Sequence, residues 1–168
     1  MHAGAREFIA AQVAGKTFGE VIEIGARHIN GGVLDLLNTD TYTGIDLFEG
    51  PGVTLVADAT TWRPDEPVDL VVCCEVLEHA PDPRAIVEAA LSWLKPKGLL
   101  LITCATDPRA PHSTHDGAEV RPGEHYANID PTDLMAWLRE AGAWGLEGMP
   151  GVSDYNVGDL YAAAWARG

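Results

Sequence analysis

Three residues that can do chemistry close successive apolar runs. Gly25 ends "EVIEIG", Asp46 lies near the end of "YTGIDL", and Asp58 ends "VTLVAD". Singly, such a glycine marks a turn and such an acid caps a helix or faces water. Their order says more, because a glycine turn after a first strand, followed by an acid about 20 residues on, pairs a carboxylate with ribose hydroxyls. A second constellation is "EVLEH", where Glu75, Glu78 and His79 are spaced to share one face of a helical turn. A third is the long polar segment 106–130, which carries His112, His115 and Tyr126. Segments of that length without structure of their own are usually functional or disordered.

The stretch "EIGARHINGGV" begins like a nucleotide fingerprint at Glu23 and Gly25, and then departs from it. Arg27 and Ile29 stand where glycines are expected, and the Gly31-Gly32 pair arrives late. A pyrophosphate needs close backbone approach along the whole loop, and these two side chains crowd it. A smaller, phosphate-free nucleotide fits the pattern better.

These residues need elements to position them. Residues 3–14 read as an amphipathic helix with Phe8, Ile9 and Val13 on one side. Strands are expected at 20–25, 42–47 and 53–58, with a short helix at 31–38 that Asn30 would cap. "VDLVVCCEV" (68–76) is apolar throughout, as for a strand covered on both faces. In 81–98, Asp82 caps, Pro83 starts, and Pro96 with Gly98 stops a helix. A strand at 99–105 follows, then a helix at 130–142 with the same Asp-Pro opening. Two closing strands near 143–149 and 159–166 have no helix between them. One α/β domain over residues 1–168 is expected: a doubly wound, mostly parallel, seven-stranded sheet with helices on both faces and an antiparallel edge strand. Ligands of such sheets bind beyond the carboxyl ends of the strands.

The bulk properties narrow the partners. The net charge is −14, from 25 acidic and 11 basic residues, which repels phosphate backbones and argues against a nucleic-acid partner. No segment is long and apolar enough to span a bilayer, and the first residues lack the order of a secretory signal, so a cytoplasmic location is the expectation. Cys73, Cys74 and Cys104 imply neither a disulfide framework nor a zinc site.

Taken together, the chain resembles the class I S-adenosylmethionine-dependent methyltransferases, and their methyltransferase type 11 branch in particular. "VIEIGARHINGG", "YTGIDLFEGPGV", "LVADAT" and "VDLVVCCEVLEHAPDP", followed by "LSWLKPKGLLLIT", look like the family's successive motifs. The resemblance implies that S-adenosylmethionine contacts Glu23, Gly25, Ala26 and Arg27, and the N–H groups around Asn30 and Gly31. Asp46, with Leu47 beside it, would take the ribose hydroxyls. Asp58 would take the adenine amino group with Ala59 packed nearby, and Cys74 and Glu75 would line the methionine side. Arg27 either points away from the cofactor or contacts its carboxylate.

The implied reaction is in-line methyl transfer to a small-molecule acceptor, with His79, His115 and Tyr126 as the catalytic candidates and His112 close by. Some relatives bind a divalent metal at such an E-x-x-E-H cluster. The cluster is common without one, and no metal is assigned. The alternative function is a catalytically silent cofactor-binding module completed by a protein partner. Oligomeric state and acceptor identity are not encoded in any motif.

Overall fold

A computed structural model of the chain describes residues 2–29, 31–152 and 157–168. Its strands run β1 Phe18–Ile24, β2 Thr39–Asp46, β3 Leu55–Val56, β4 Val68–Cys74, β5 Leu94–Ala105, β6 Trp144–Val152 and β7 Val157–Trp165. They form one sheet in the order β3-β2-β1-β4-β5-β7-β6. The first five strands are parallel to one another, and β7 pairs antiparallel with both β5 and β6. The closing hairpin therefore supplies the antiparallel pairing, with β6 outermost.

Helices cover both faces. On one face, α2 (Pro83–Ser92) and α3 (Pro131–Glu140) bury Ile86, Leu91, Leu134 and Leu138 against Val71 and Ile102. On the other, α1 (Ala3–Val13) buries Ile9 and Val13 against Val21, Leu70 and Leu101. The Asp-Pro openings behave as read from sequence. Asp82 accepts from Ala85 N at 3.1 Å, and Asp130 accepts from Thr132 N at 2.7 Å. All three cysteines are free and buried. Among the described residues no helix is long and apolar enough to cross a membrane.

Register levels the strand ends. Ile24 pairs with Ile45 on one side and Cys73 on the other, and Cys74 pairs with Thr103. The turns after β1, β2, β4 and β5 thus open along one rim, where Gly25, Glu75 and Thr106 follow their strands and Asp46 closes β2.

Three expectations are corrected. The helix at 31–38 is only a 3-10 turn at Leu34–Leu36. Two glycines precede it, which is costly in a helix, and although Val33 is buried, with Leu36 and Leu37 partly covered, Leu34 is exposed. Asn30, its expected cap, lies outside the described residues. The third strand shrinks to Leu55–Val56, both exposed at the sheet edge. The helix at 81–98 ends at Ser92, because Leu94 already pairs with Val68 as β5 begins.

Candidate active site

A cleft of about 1300 Å³ opens along the rim of strand ends. One half is walled by the turns after β1, β2 and β3. The other is walled by the turn after β4 and by the long segment that follows β5.

In the first half, Asp46 Oδ1 accepts from Phe48 N at 3.0 Å, and Asp58 Oδ1 accepts from the N–H and hydroxyl of Thr60 at 2.8 and 2.7 Å. Each acid therefore holds its own turn with one oxygen. Among the described residues, Oδ2 of each has no protein donor and remains open on the cleft wall. Ala59 is buried beside Asp58, and Leu47 is 60% exposed on the same wall.

The turn after β1 is built differently from the expectation. Gly25 has φ +77°, and a Cβ there would lie 2.2 Å from Val76 Cγ2. Its lack of a side chain admits Val76 as well as permitting the left-handed turn. The N–H groups of Gly25 and Ala26 both donate to Ile45 O, at 2.9 and 3.0 Å. Ala26 is fully buried between Gly25 and Arg27, which both line the cleft. Glu23 lines the cleft, but its carboxylate is held by the Tyr42 hydroxyl and lies 3.4 Å from His28 Nε2. Burial pushes its carboxyl above the usual range. A Cβ on Gly32 would lie 2.0 Å from His28 Nε2, so the late glycine leaves room for this histidine. Gly31 lines the cleft at φ +91°. Arg27 also lines it, with its guanidinium 5.4 Å from the Phe48 ring centroid and Nη2 donating to Thr114 O at 3.2 Å.

At the end of β4 the two glutamates of "EVLEH" separate. Glu75 adopts φ +56°, a left-handed conformation that costs a non-glycine residue energy and recurs at functional turns. Its carboxylate accepts from Thr103 Oγ1 at 3.0 Å and lies 3.6 Å from Arg109 Nη2 and 3.7 Å from His2 Nε2. Arg109 is also paired with the fully buried Asp159, which takes the Tyr161 hydroxyl at 3.1 Å. Cys74 lines the cleft, and burial pushes its thiol up.

Glu78 turns the other way, into a 3-10 turn over Leu77–His79. It is 0% exposed. Its Oε1 accepts from Ala105 N at 3.1 Å, while Oε2 is buried with no protein donor among the described residues. Burial, and then the charge of Glu75, push the Glu78 carboxyl well above the ordinary range. His79 Nδ1 is likewise buried and unpartnered. Burial, followed by the neighbouring His112, lowers the His79 pKa to about 4. One ligand atom each from Glu78, His79 and His112 lies within 4.8 Å of the others. The three rings of His79, His112 and Tyr126 meet edge to face, with centroids 4.9 to 5.4 Å apart. Burial raises the Tyr126 pKa, and its hydroxyl donates to Asn128 Oδ1 at 3.0 Å.

His115 lines the same cleft but stands apart from this ring cluster. Its N–H donates to Ser113 Oγ at 3.1 Å, and Gly117 N donates to Ser113 O at 2.9 Å. The resulting turn aims the imidazole at Phe48, 6.2 Å away between centroids. Sequence reading also missed Phe48, Arg109 and Asp159. No local pattern marks the last two, which meet across 50 positions of chain.

Known proteins resemble this chain in sequence and in fold. The methyltransferase-domain family profile matches residues 1–145. A ubiquinone biosynthesis O-methyltransferase of Pseudomonas putida is 30% identical over 167 residues, covering 79% of this chain and 66% of that protein. One of Xanthomonas euvesicatoria is 45% identical over 82 residues, covering 44% of this chain and 34% of that protein. The chain thus spans no more than 66% of the length of these relatives. Among solved structures, the 1,6-didemethyltoxoflavin-N1-methyltransferase of Burkholderia thailandensis superposes with a TM-score of 0.74 at 16% identity, covering 99% of this chain and 79% of the other. The chain belongs to the methyltransferase-domain family, within the class I S-adenosylmethionine-dependent methyltransferases. S-adenosylmethionine is the cofactor its cleft has to fit.

Proposed function

We propose that this chain binds S-adenosylmethionine in the cleft and transfers its methyl group to a hydroxyl oxygen of a small catechol-like or quinone-like acceptor. One observation carries the reading: a single cleft is lined by Asp46 and Asp58 at one end and by His79 and His112 at the other, with Glu78 and Tyr126 packed against the two histidines. The names of the ubiquinone-biosynthesis relatives support an oxygen acceptor.

When bound, S-adenosylmethionine supplies a sulfonium-activated methyl, which leaves the chain to align, desolvate and deprotonate the acceptor. Asp46 accepts hydrogen bonds from the ribose, and Asp58 from the adenine amino group. The acceptor ring lies against the edges of His79, His112 and Tyr126. His79, with its pKa near 4, stays neutral at pH 7 and is a weak proton acceptor. It serves better as a ligand than as the general base expected from sequence.

The donor set fits a divalent cation. Two of its polar atoms, Glu78 Oε2 and His79 Nδ1, are buried without partners, and the ligand atoms cluster within 4.8 Å. Ligands held about 2.0–2.3 Å from one ion lie at most about 4.6 Å apart, so a small inward movement of these side chains would bring them onto a cation. Glu78, His79 and His112 would hold such a cation, which would supply Lewis acidity toward an acceptor hydroxyl.

The test is product formation from catechol and 3,4-dihydroxybenzoate with S-adenosylmethionine, in Mg²⁺ or in EDTA. Methylated phenol that depends on the cation supports the proposal. Cofactor binding with no turnover of any hydroxyl acceptor supports instead a binding module completed by a partner.

A further inference from the structure

Among the described residues, two arginines line the cleft, Arg27 and Arg109. Arg109 is neutralised by Asp159 and Glu75. Arg27 has no carboxylate partner among the described residues, although the chain carries a net charge of −14. Its Nη2 is satisfied by the neutral carbonyl of Thr114, its π face rests over Phe48, and its Nε is buried with no acceptor. A buried cationic donor left unmatched in an acidic protein marks the place of an anion that the protein does not supply.

The position of Arg27 indicates which anion. It follows Gly25 at the end of β1 and packs on Phe48, two residues past Asp46, which places it in the cofactor half of the cleft. The cofactor of this family carries one carboxylate and no phosphate. Arg27 also touches the segment that carries the acceptor side. Thr114 lies in a turn closed by Ser113 N to Ala118 O at 2.8 Å and braced by Ser113 Oγ to Glu124 at 2.8 Å. His112 immediately precedes that turn and meets His79 and Tyr126.

We propose that Arg27 binds the carboxylate of the cofactor's amino-acid moiety and, with the same guanidinium, fastens residues 113–118 over the cleft. The inference rests on the S-adenosylmethionine reading. Its consequence is coupling: an occupied carboxylate site orders the segment that presents His112 to the acceptor. The planar fork of arginine suits both tasks, since one edge can face a carboxylate while another holds a carbonyl.

Calorimetric titration of S-adenosylhomocysteine and of its decarboxylated analogue tests this, in the wild type and in Arg27→Met and Arg27→Lys. The wild type is expected to prefer S-adenosylhomocysteine by about tenfold or more. Arg27→Met should reduce that preference to less than about threefold while keeping its affinity for the decarboxylated ligand, with Arg27→Lys between the two. Hydrogen exchange of the 113–118 amides should slow with S-adenosylhomocysteine in the wild type, and change little with the decarboxylated ligand or in Arg27→Met. A wild-type preference retained by Arg27→Met, or equal protection by both ligands, overturns the proposal. Failure of the wild type to bind either ligand overturns the cofactor reading itself. If Arg27→Met loses affinity for both ligands through misfolding, Arg27→Lys decides: an undiminished preference there, with no loss of 113–118 protection, counts against the proposal.

Discussion

Glu78 accepts the Ala105 backbone N–H at 3.1 Å with Oε1, while its buried Oε2 meets no donor among the described residues. The bond ties the turn after β4 to the end of β5. It also leaves half of a buried carboxylate unsatisfied, which a structure tolerates where a ligand or proton completes it.

Cation binding should show the completion. Mn²⁺ is expected to raise the thermal midpoint of the wild type, and to do so more strongly as pH rises, because the raised pKa of Glu78 makes the metal displace a proton. Glu78→Gln and His112→Ala should each remove most of the shift. A full Mn²⁺ shift in Glu78→Gln would place the ion elsewhere.

His79 gives stability a pH dependence of defined sign. Its pKa falls from 6.5 to about 4 on folding, so between those values the unfolded chain holds more protons. Its contribution is therefore lost as pH drops through that window. Glu78 acts oppositely: its raised pKa costs stability as pH climbs above the ordinary carboxylate range. Urea midpoints measured from pH 7 to pH 4.5 should decline less in His79→Gln than in the wild type. Equal slopes would mean that His79 titrates as an ordinary surface histidine.

Much of this was readable before any coordinates. Asp82-Pro83 and Asp130-Pro131 announce their helices because cap and first-turn chemistry is local. The strand-end acids are legible because a parallel sheet places its carboxyl ends on one rim. The divergence of Glu75 and Glu78 is not legible, since it depends on the left-handed φ of Glu75 and on partners in β5, Thr103 and Ala105. The same holds for His115, which lies within the turn closed by Ser113, and for Ala26, whose N–H donates to Ile45 O of the neighbouring strand. Spacing brought His79 and Tyr126 under consideration, but only the fold puts their rings 5.4 Å apart.

Gly25→Ala should destabilise the fold. The new methyl must displace Val76, and the residue must keep φ +77°. Left-handed strain and overpacking together suggest a loss of roughly 2–5 kcal/mol in urea unfolding. A loss within about 0.5 kcal/mol, the range of a surface substitution, would contradict the packing described for this turn.

Asp46→Ala should weaken cofactor binding by about 1.5–3 kcal/mol, through loss of charge-assisted hydrogen bonds. Its other role is a single bond to Phe48 N, so folding should survive. An unchanged dissociation constant would reduce Asp46 to a loop-holding acid.

The most direct measurement is calorimetric titration of the unmodified chain with S-adenosylhomocysteine and, separately, with NAD. Single-site binding of S-adenosylhomocysteine with no heat from NAD is the expected result, since Arg27 and Ile29 crowd the path of a pyrophosphate while Asp46 and Asp58 stay open to a nucleoside. Binding of NAD with no response to S-adenosylhomocysteine would contradict the assignment of this cleft.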